Sequence, residues 1–282
     1  MMRRIFLATI AAVALAGCAT ARGGSIPAAG FSAEAPAAPR LSAEQAALFA
    51  KQIERDLAAK GARLALVFRT GEPRDTLPEG ISYTHGGFWT YVPISLDDGR
   101  VVNGYAIYNL YRGDGKSLPT DQSYLHQDYP IDFAVATGMD DVGVIIPTPE
   151  MQRRILAIMD SPDYRKLHIP AYSLVSNPLD IKYQNCTEFM LDIIASAAWQ
   201  TSDMKQIKAN LKAHFKPTEV KTSAFERVFA PIAHKEIKTD DQNSRIVTAT
   251  YDSLVAFMKD NGLLQDAYIL NRAADPPART AS

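Results

Sequence analysis

The order of hydrophobic patterns predicts an α+β fold, one domain in which an antiparallel sheet packs against helices. Three observations carry this. An amphipathic helix opens the folded part, and runs rich in β-branched and aromatic residues follow it with turn residues between them. A strand and then several helical periods close the chain. Strands joined by short turns pair antiparallel, because parallel neighbours need long crossovers.

Leu41 to Lys60 reads as a helix. Ser42-x-x-Gln45 fits a capping box, Ala46, Phe49, Ile53 and Leu57 form an apolar stripe, and Gly61 can end it. Arg63 to Arg69 is expected as a strand. Ile81 to Val92 and Gly104 to Tyr111 form a hairpin around Asp97-Asp98-Gly99. Val142 to Pro147 reads as a buried strand, after which Thr148-Pro149 supplies an N-cap and an N1 proline for a helix to about Asp160. Tyr172 to Val175 is a short strand closed by Asn177-Pro178. Cys186 to Trp199 is the clearest apolar helix, and further helices are expected at Ser202 to Phe215, around Ser223 to Ile232 and at Thr250 to Asn261.

The ends differ from this middle. Arg3 and Arg4 precede a short apolar run, Ile5 to Ala16, which closes as Leu15-Ala16-Gly17-Cys18. The run is too short to span a bilayer comfortably, so residues 1–17 are expected to be a secretory signal. Its close resembles the bacterial lipobox, which implies cleavage before Cys18 and lipidation of that residue. Ala19 in the next position favours outer-membrane sorting over inner-membrane retention, so the expected location is the periplasmic side of the envelope. Residues 18–40 are Ala, Pro, Gly and Ser with little to bury, a flexible tether. Residues 41–272 have the composition of one folded domain, and 273–282 again read as a disordered tail.

Without residues 1–17 the chain has 28 basic and 31 acidic side chains, and no basic stripe. Nucleic acid is thus an unexpected partner, and membrane contact is expected through the N-terminal lipid only. Five scattered histidines and one free thiol make no zinc site, and no side chain calls for a cofactor. Gly115-Lys116-Ser117 lacks the first glycine of a P-loop, since Leu110 stands there. There is no G-x-S-x-G and no H-E-x-x-H.

Cysteine usage points to chemistry. With Cys18 acylated, Cys186 stands alone in an exported chain, where thiols tend to pair. A buried small hydrophobe is the plain alternative. The segment Tyr183-Gln184-Asn185-Cys186-Thr187-Glu188-Phe189 places the thiol at a helix mouth, with Asn185 as N-cap. Free N–H groups and the macrodipole favour an anion there, and the thiolate is the reactive form. A base is then needed. His214 and His234 have polar helical surroundings, His126 falls in an expected loop, and His168 stands shortly before Pro170. His85 lies in an expected strand before Gly86-Gly87, which allow close approach of another backbone, and alternation puts it on one face with Trp89 and Tyr91. A third group should hold the imidazole. Asn109 is the best placed on the next strand, with Asn103 and Asp114 as weaker candidates. The Cys186 N–H with Gln184 could form an oxyanion hole, with Asn185 and Gly86 in support.

Thr84-His85-Gly86-Gly87, Tyr108-Asn109-Leu110-Tyr111, Ile146-Pro147-Thr148-Pro149, Tyr172-Ser173-Leu174-Val175-Ser176-Asn177-Pro178 and Tyr183-Gln184-Asn185-Cys186-Thr187 resemble a bacterial domain family of unknown function, number 2145, over about residues 41–272. A His-Gly strand, a second strand and then a distant helix opening Asn-Cys-x-x-Phe also looks like the circularly permuted branch of the NlpC/p60 papain-like cysteine hydrolases. That resemblance implies a papain-like fold with Cys186 as nucleophile and His85 as base. The branch includes peptidoglycan amidases and enzymes acting on acyl lipids, so it implies an envelope substrate, a peptidoglycan peptide or an acyl lipid. The expectation is a thiol amidase, peptidase or acyltransferase working through an acyl-enzyme. The rival is a non-catalytic binding lipoprotein on the same scaffold.

Overall fold

The computed structural model describes residues 39–95, 98–221 and 236–274. The expected signal peptide, Cys18, most of the tether, the helix around Ser223 to Ile232, His234 and the tail from 275 lie outside the described residues. The elements are α1 (Ala43–Ala59), β1 (Leu64–Arg69), β2 (His85–Ser95), β3 (Val101–Arg112), β4 (Ser123–Asp128), α2 (Pro130–Val135), β5 (Asp141–Pro147), α3 (Pro149–Met159), α4 (Asp163–Lys166), α5 (Cys186–Trp199), α6 (Met204–His214), β6 (Thr218–Glu219), β7 (Val247–Thr248), α7 (Tyr251–Asp260) and β8 (Leu264–Asn271). Six strands form one antiparallel sheet in the order β4-β3-β2-β1-β5-β8. β6 and β7 form a separate small pair. The expected α+β domain with an antiparallel sheet packed against helices is the fold observed.

The start signals act as read. Ser42 and Gln45 close a reciprocal capping box on α1, and Thr148 caps α3 ahead of Pro149. Arg40, at the end of the expected tether, is paired with Asp140 at 2.6 Å.

β1 is buried along its whole length because both faces of the sheet are covered. Leu64, Leu66 and Phe68 point into the layer of α3, α5, α6 and α7; Ala65 and Val67 point into the layer of α1 and α2. Each Leu, Ile or Phe fully buried there contributes roughly 1.5–3 kcal/mol over exposure, so the central strand anchors both layers. Close packing beside the site depends on glycine. A Cβ on Gly86 would lie 2.8 Å from the Phe68 ring and 2.5 Å from Met190 Cε of α5.

Two expectations fail. Tyr172 to Val175 is not a strand: Tyr172 N–H donates to Asp121 O and Leu174 N–H to Glu236 O, so its backbone is satisfied by two separate segments with no ladder. His126 is not in a loop, because Ser123–Asp128 pairs with β3 as an edge strand. Among the described residues no helix is long and apolar enough to cross a membrane.

Candidate active site

Asn185 stops the incoming extended chain and starts α5. Its Oδ1 accepts from Glu188 N at 2.9 Å, and its Nδ2 donates to Leu174 O at 3.1 Å and to Thr248 Oγ1 at 3.2 Å. Cys186 is therefore the first residue of the helix, where N–H groups are still unpaired within it. Its residue is 5% exposed, so the thiol is almost wholly shielded from solvent. Sγ donates to the carbonyl of Thr84 at 4.0 Å and lies 3.9 Å from Thr187 Oγ1. Thr84 is the residue before His85.

His85 opens β2 and hydrogen-bonds through Nε2 to Asn109 Oδ1 at 3.0 Å. The two expected partners are thus in direct contact. Asn109 Nδ2 donates in turn to Asp128 Oδ2 at 3.0 Å, and Tyr111 OH also donates to that oxygen. His126 Nε2 lies 3.1 Å from Asp128 Oδ1. The imidazole stacks on Tyr111, ring centroids 4.9 Å apart, and is covered by Phe133 of α2. Asp128 was not among the sequence candidates, though its place beside Asn109 follows from the β3–β4 register, in which Ile107 faces Asp128 and Asn109 faces His126. Asn103 lies far down the hairpin opposite Pro93. Asp114 caps a turn through the N–H groups of Lys116, Ser117 and Leu118. Neither reaches the imidazole.

The sequence matches the family described as an uncharacterized protein conserved in bacteria (DUF2145) over residues 56–258. The chain belongs to that family. No curated protein and no solved structure matches it.

In this DUF2145 member the sheet separates the approaches of Cys186 and His85. Alternation along β2 turns His85, Gly87 and Trp89 toward Asn109, Ile107 and α2. Gly86 and Phe88 face α5. The sulfur thus comes to the strand end that bears His85 from the other side of the sheet. Beside it opens a cavity of about 150 Å³, walled by Leu77, Ile81, Leu174, Val175, Val220 and Ala249, with Tyr83, Thr84, Thr187 and Thr250 also in its lining. Its described wall carries no charged side chain.

Gln184 does not serve as an oxyanion donor. It is fully buried, its Oε1 accepts from Ile169 N at 2.9 Å, and its Nε2 donates to Leu167 O and to Asp192 Oδ2. Both amide hydrogens are spent, so the side chain braces α5. Among the described residues no group of three or more His, Cys, Asp or Glu is arranged to hold a metal ion.

Burial holds the His85 imidazole neutral, its pKa well below the ordinary 6.5. The nearby Arg69 guanidinium pushes in the same direction, and the Asn109 bond opposes both. The unfolded chain takes up this proton near 6.5 and the folded one does not, so stability falls as pH drops through that value. His126 has the opposite shift, raised by its bond to Asp128, which calls for a differential measurement. Wild type is expected to lose stability relative to His85→Gln between pH 6.5 and 5, by up to about 1.4 kcal/mol per pH unit. Parallel urea-unfolding curves with the same slope for both proteins would show that His85 is not held neutral.

Proposed function

We propose that this chain is an envelope-anchored cysteine hydrolase of papain-like type, in which Cys186 attacks an amide or ester carbonyl and His85 moves the proton. The observation that carries the reading is the His85–Asn109 bond at the strand end touched by the Cys186 sulfur. Asn109 holds the ring, as the third member of a thiol triad does. The helix start favours the negative sulfur, and the buried neutral imidazole acts as a base during attack and not as half of a standing ion pair. The thiol proton passes to His85 while sulfur adds to the carbonyl. The leaving amine or alcohol takes that proton back as a thioester forms. Water or an acceptor amine, deprotonated by His85, then adds to the thioester carbonyl; the C–S bond breaks, the acyl group leaves, and His85 returns the proton to the sulfur. No cofactor is required by these steps. The Cys186 N–H remains the candidate oxyanion donor, with Asn185 and Gly86 shaping the site.

Lipidation at Cys18 and a periplasmic, outer-membrane location complete the proposal, resting on the leader and lipobox pattern. They put a peptidoglycan peptide or an acyl lipid within reach. The cavity beside the sulfur, whose described wall carries no charge, favours a substrate with an apolar acyl side. Incubation with activated esters, read by mass spectrometry, is expected to trap one acyl group on Cys186. Iodoacetamide labelling of Cys186 near neutral pH is expected to slow in His85→Ala. A labelling rate indifferent to that substitution, with no trapped ester, would count against the hydrolase.

One observation favours a second reading. The sheet lies between the approach of α5 and the face bearing the imidazole, an arrangement suited to a binding protein that keeps the scaffold and uses the cavity alone. In that case Cys186→Ala leaves both the folded state and the cellular phenotype intact.

A further inference from the structure

We propose that Asp128 is a positioning residue: it locks the Asn109 amide so that His85 carries its proton on Nε2 and offers an unprotonated Nδ1. Asn109 sits between two fixed groups. On one side Asp128 Oδ2, an acceptor, lies 3.0 Å from Nδ2; on the other His85 Nε2 lies 3.0 Å from Oδ1. Turning the amide over would set its oxygen against a carboxylate, two acceptors at hydrogen-bond distance in a buried site. The amide orientation is therefore dictated, and a carbonyl facing Nε2 demands a hydrogen there. A neutral imidazole has one ring proton, so Nδ1 is left with its lone pair. Asp128 acts through Asn109 and touches neither the ring nor the sulfur.

The carboxylate is itself held from three sides. Besides Asn109, it accepts from Tyr111 OH of β3, whose own proton is kept by burial, and from His126 Nε2 of β4. Arg69 of β1 and Asp132 of α2 are the other charged groups around this network, and Arg69 is anchored to Ala136 O at 2.8 Å. Asp128 is 7% exposed, so these donors and not water decide how it points. The result is a run of dependent bonds, Asp128 to Asn109 to His85, that selects one tautomer.

The tautomer rests on this geometry alone; its use as the base for Cys186 rests on the hydrolase reading. The two are separable by experiment. Nitrogen-15 NMR of the full domain at neutral pH, with the His85 signals assigned by their loss in His85→Gln, is expected to show Nε2 protonated and Nδ1 bare. In Asp128→Asn the new amide can face Asn109 with either end, and a population with the proton on Nδ1 is expected to appear. A wild-type ring protonated on Nδ1 overturns the proposal. So does an Asp128→Asn protein, folded by its NMR spectrum, whose tautomer is unchanged. Should Asp128→Asn fail to fold, the wild-type spectrum still decides. If Cys186 acylates as proposed above, Asp128→Asn is also expected to slow that step roughly tenfold or more. The same substitution is expected to add little in an Asn109→Ala background, because both act through one bond. Absence of acylation in every protein, with the expected tautomer present, would sink the hydrolase and leave the positioning role standing.

Discussion

Lys208→Met is expected to cost about 3–5 kcal/mol of stability, the penalty for leaving buried charges without their counter-ion. Lys208 of α6 is 3% exposed and places Nζ 2.7 Å from Glu188 Oε1 and 2.7 Å from Asp192 Oδ1, both carboxylates being fully buried on α5. One cation faces two acids. Burial raises the carboxyl pKa of both acids against the pull of Lys208, while the two acids raise the lysine. Removing the ammonium leaves Glu188 and Asp192 to repel each other in a medium that solvates neither. The sign of the pH response follows. A folded carboxyl with a raised pKa binds a proton that the unfolded chain has released, so stability is present at low pH and lost as pH rises. The deficit of Lys208→Met is expected to shrink as pH falls from 8 toward 5, where the acids can neutralise themselves. Urea unfolding at several pH values measures both parts. A loss below about 1 kcal/mol, or one indifferent to pH, would mean that the acids are already neutral beside the lysine.

This cluster marks a limit of reading the chain as a string. The apolar run from Cys186 to Trp199 identified α5, and Asn185 identified its start. Glu188 and Asp192, four apart in so apolar a helix, were a signal that a cation had to come from elsewhere. Nothing local says that it comes from α6. The same reason explains the oxyanion assignment to Gln184. Adjacency to Cys186 along the chain suggested adjacency in space, but the side chain points into the body of the helix layer, toward Asp192.

Asn109 was legible because strand alternation after the hairpin decides which of its neighbours share its face. Asp128 was not, because β4 carries Tyr124, His126 and Gln127 at an edge where alternation between core and solvent is weak. Only the pairing of β3 with β4 brings that carboxylate to Asn109. Tyr172 to Val175 fails in the opposite way. Its composition suits a strand, but Tyr172 N–H goes to Asp121 and Leu174 N–H to Glu236, so no ladder with a single partner strand forms.

Gly87→Ala is expected to separate His85 from Asn109 while both residues stay in the sequence. Gly87 shares their face, and a Cβ there would fall well inside contact distance of Asn109 Oδ1 and 3.0 Å from Ile107 Cγ2. Asn109 cannot simply retreat, since its Nδ2 is tied to Asp128. Either the amide leaves the imidazole or β2 shifts against β3, at about 1–3 kcal/mol for the overpacking. The loss of the imidazole's acceptor is part of that cost, because a buried ring N–H left unpaired is itself unfavourable by roughly 1–3 kcal/mol. A double-mutant cycle separates these terms. With Asn109→Ala the oxygen that meets the new methyl is gone, so Gly87→Ala is expected to cost less there than in wild type, with a coupling of about 0.5 kcal/mol or more. The two single substitutions are also expected to slow Cys186 labelling alike if the imidazole acts on the sulfur. Strictly additive losses would mean that the methyl is absorbed by movement of Ile107 and the strand, leaving the imidazole–amide bond where it was.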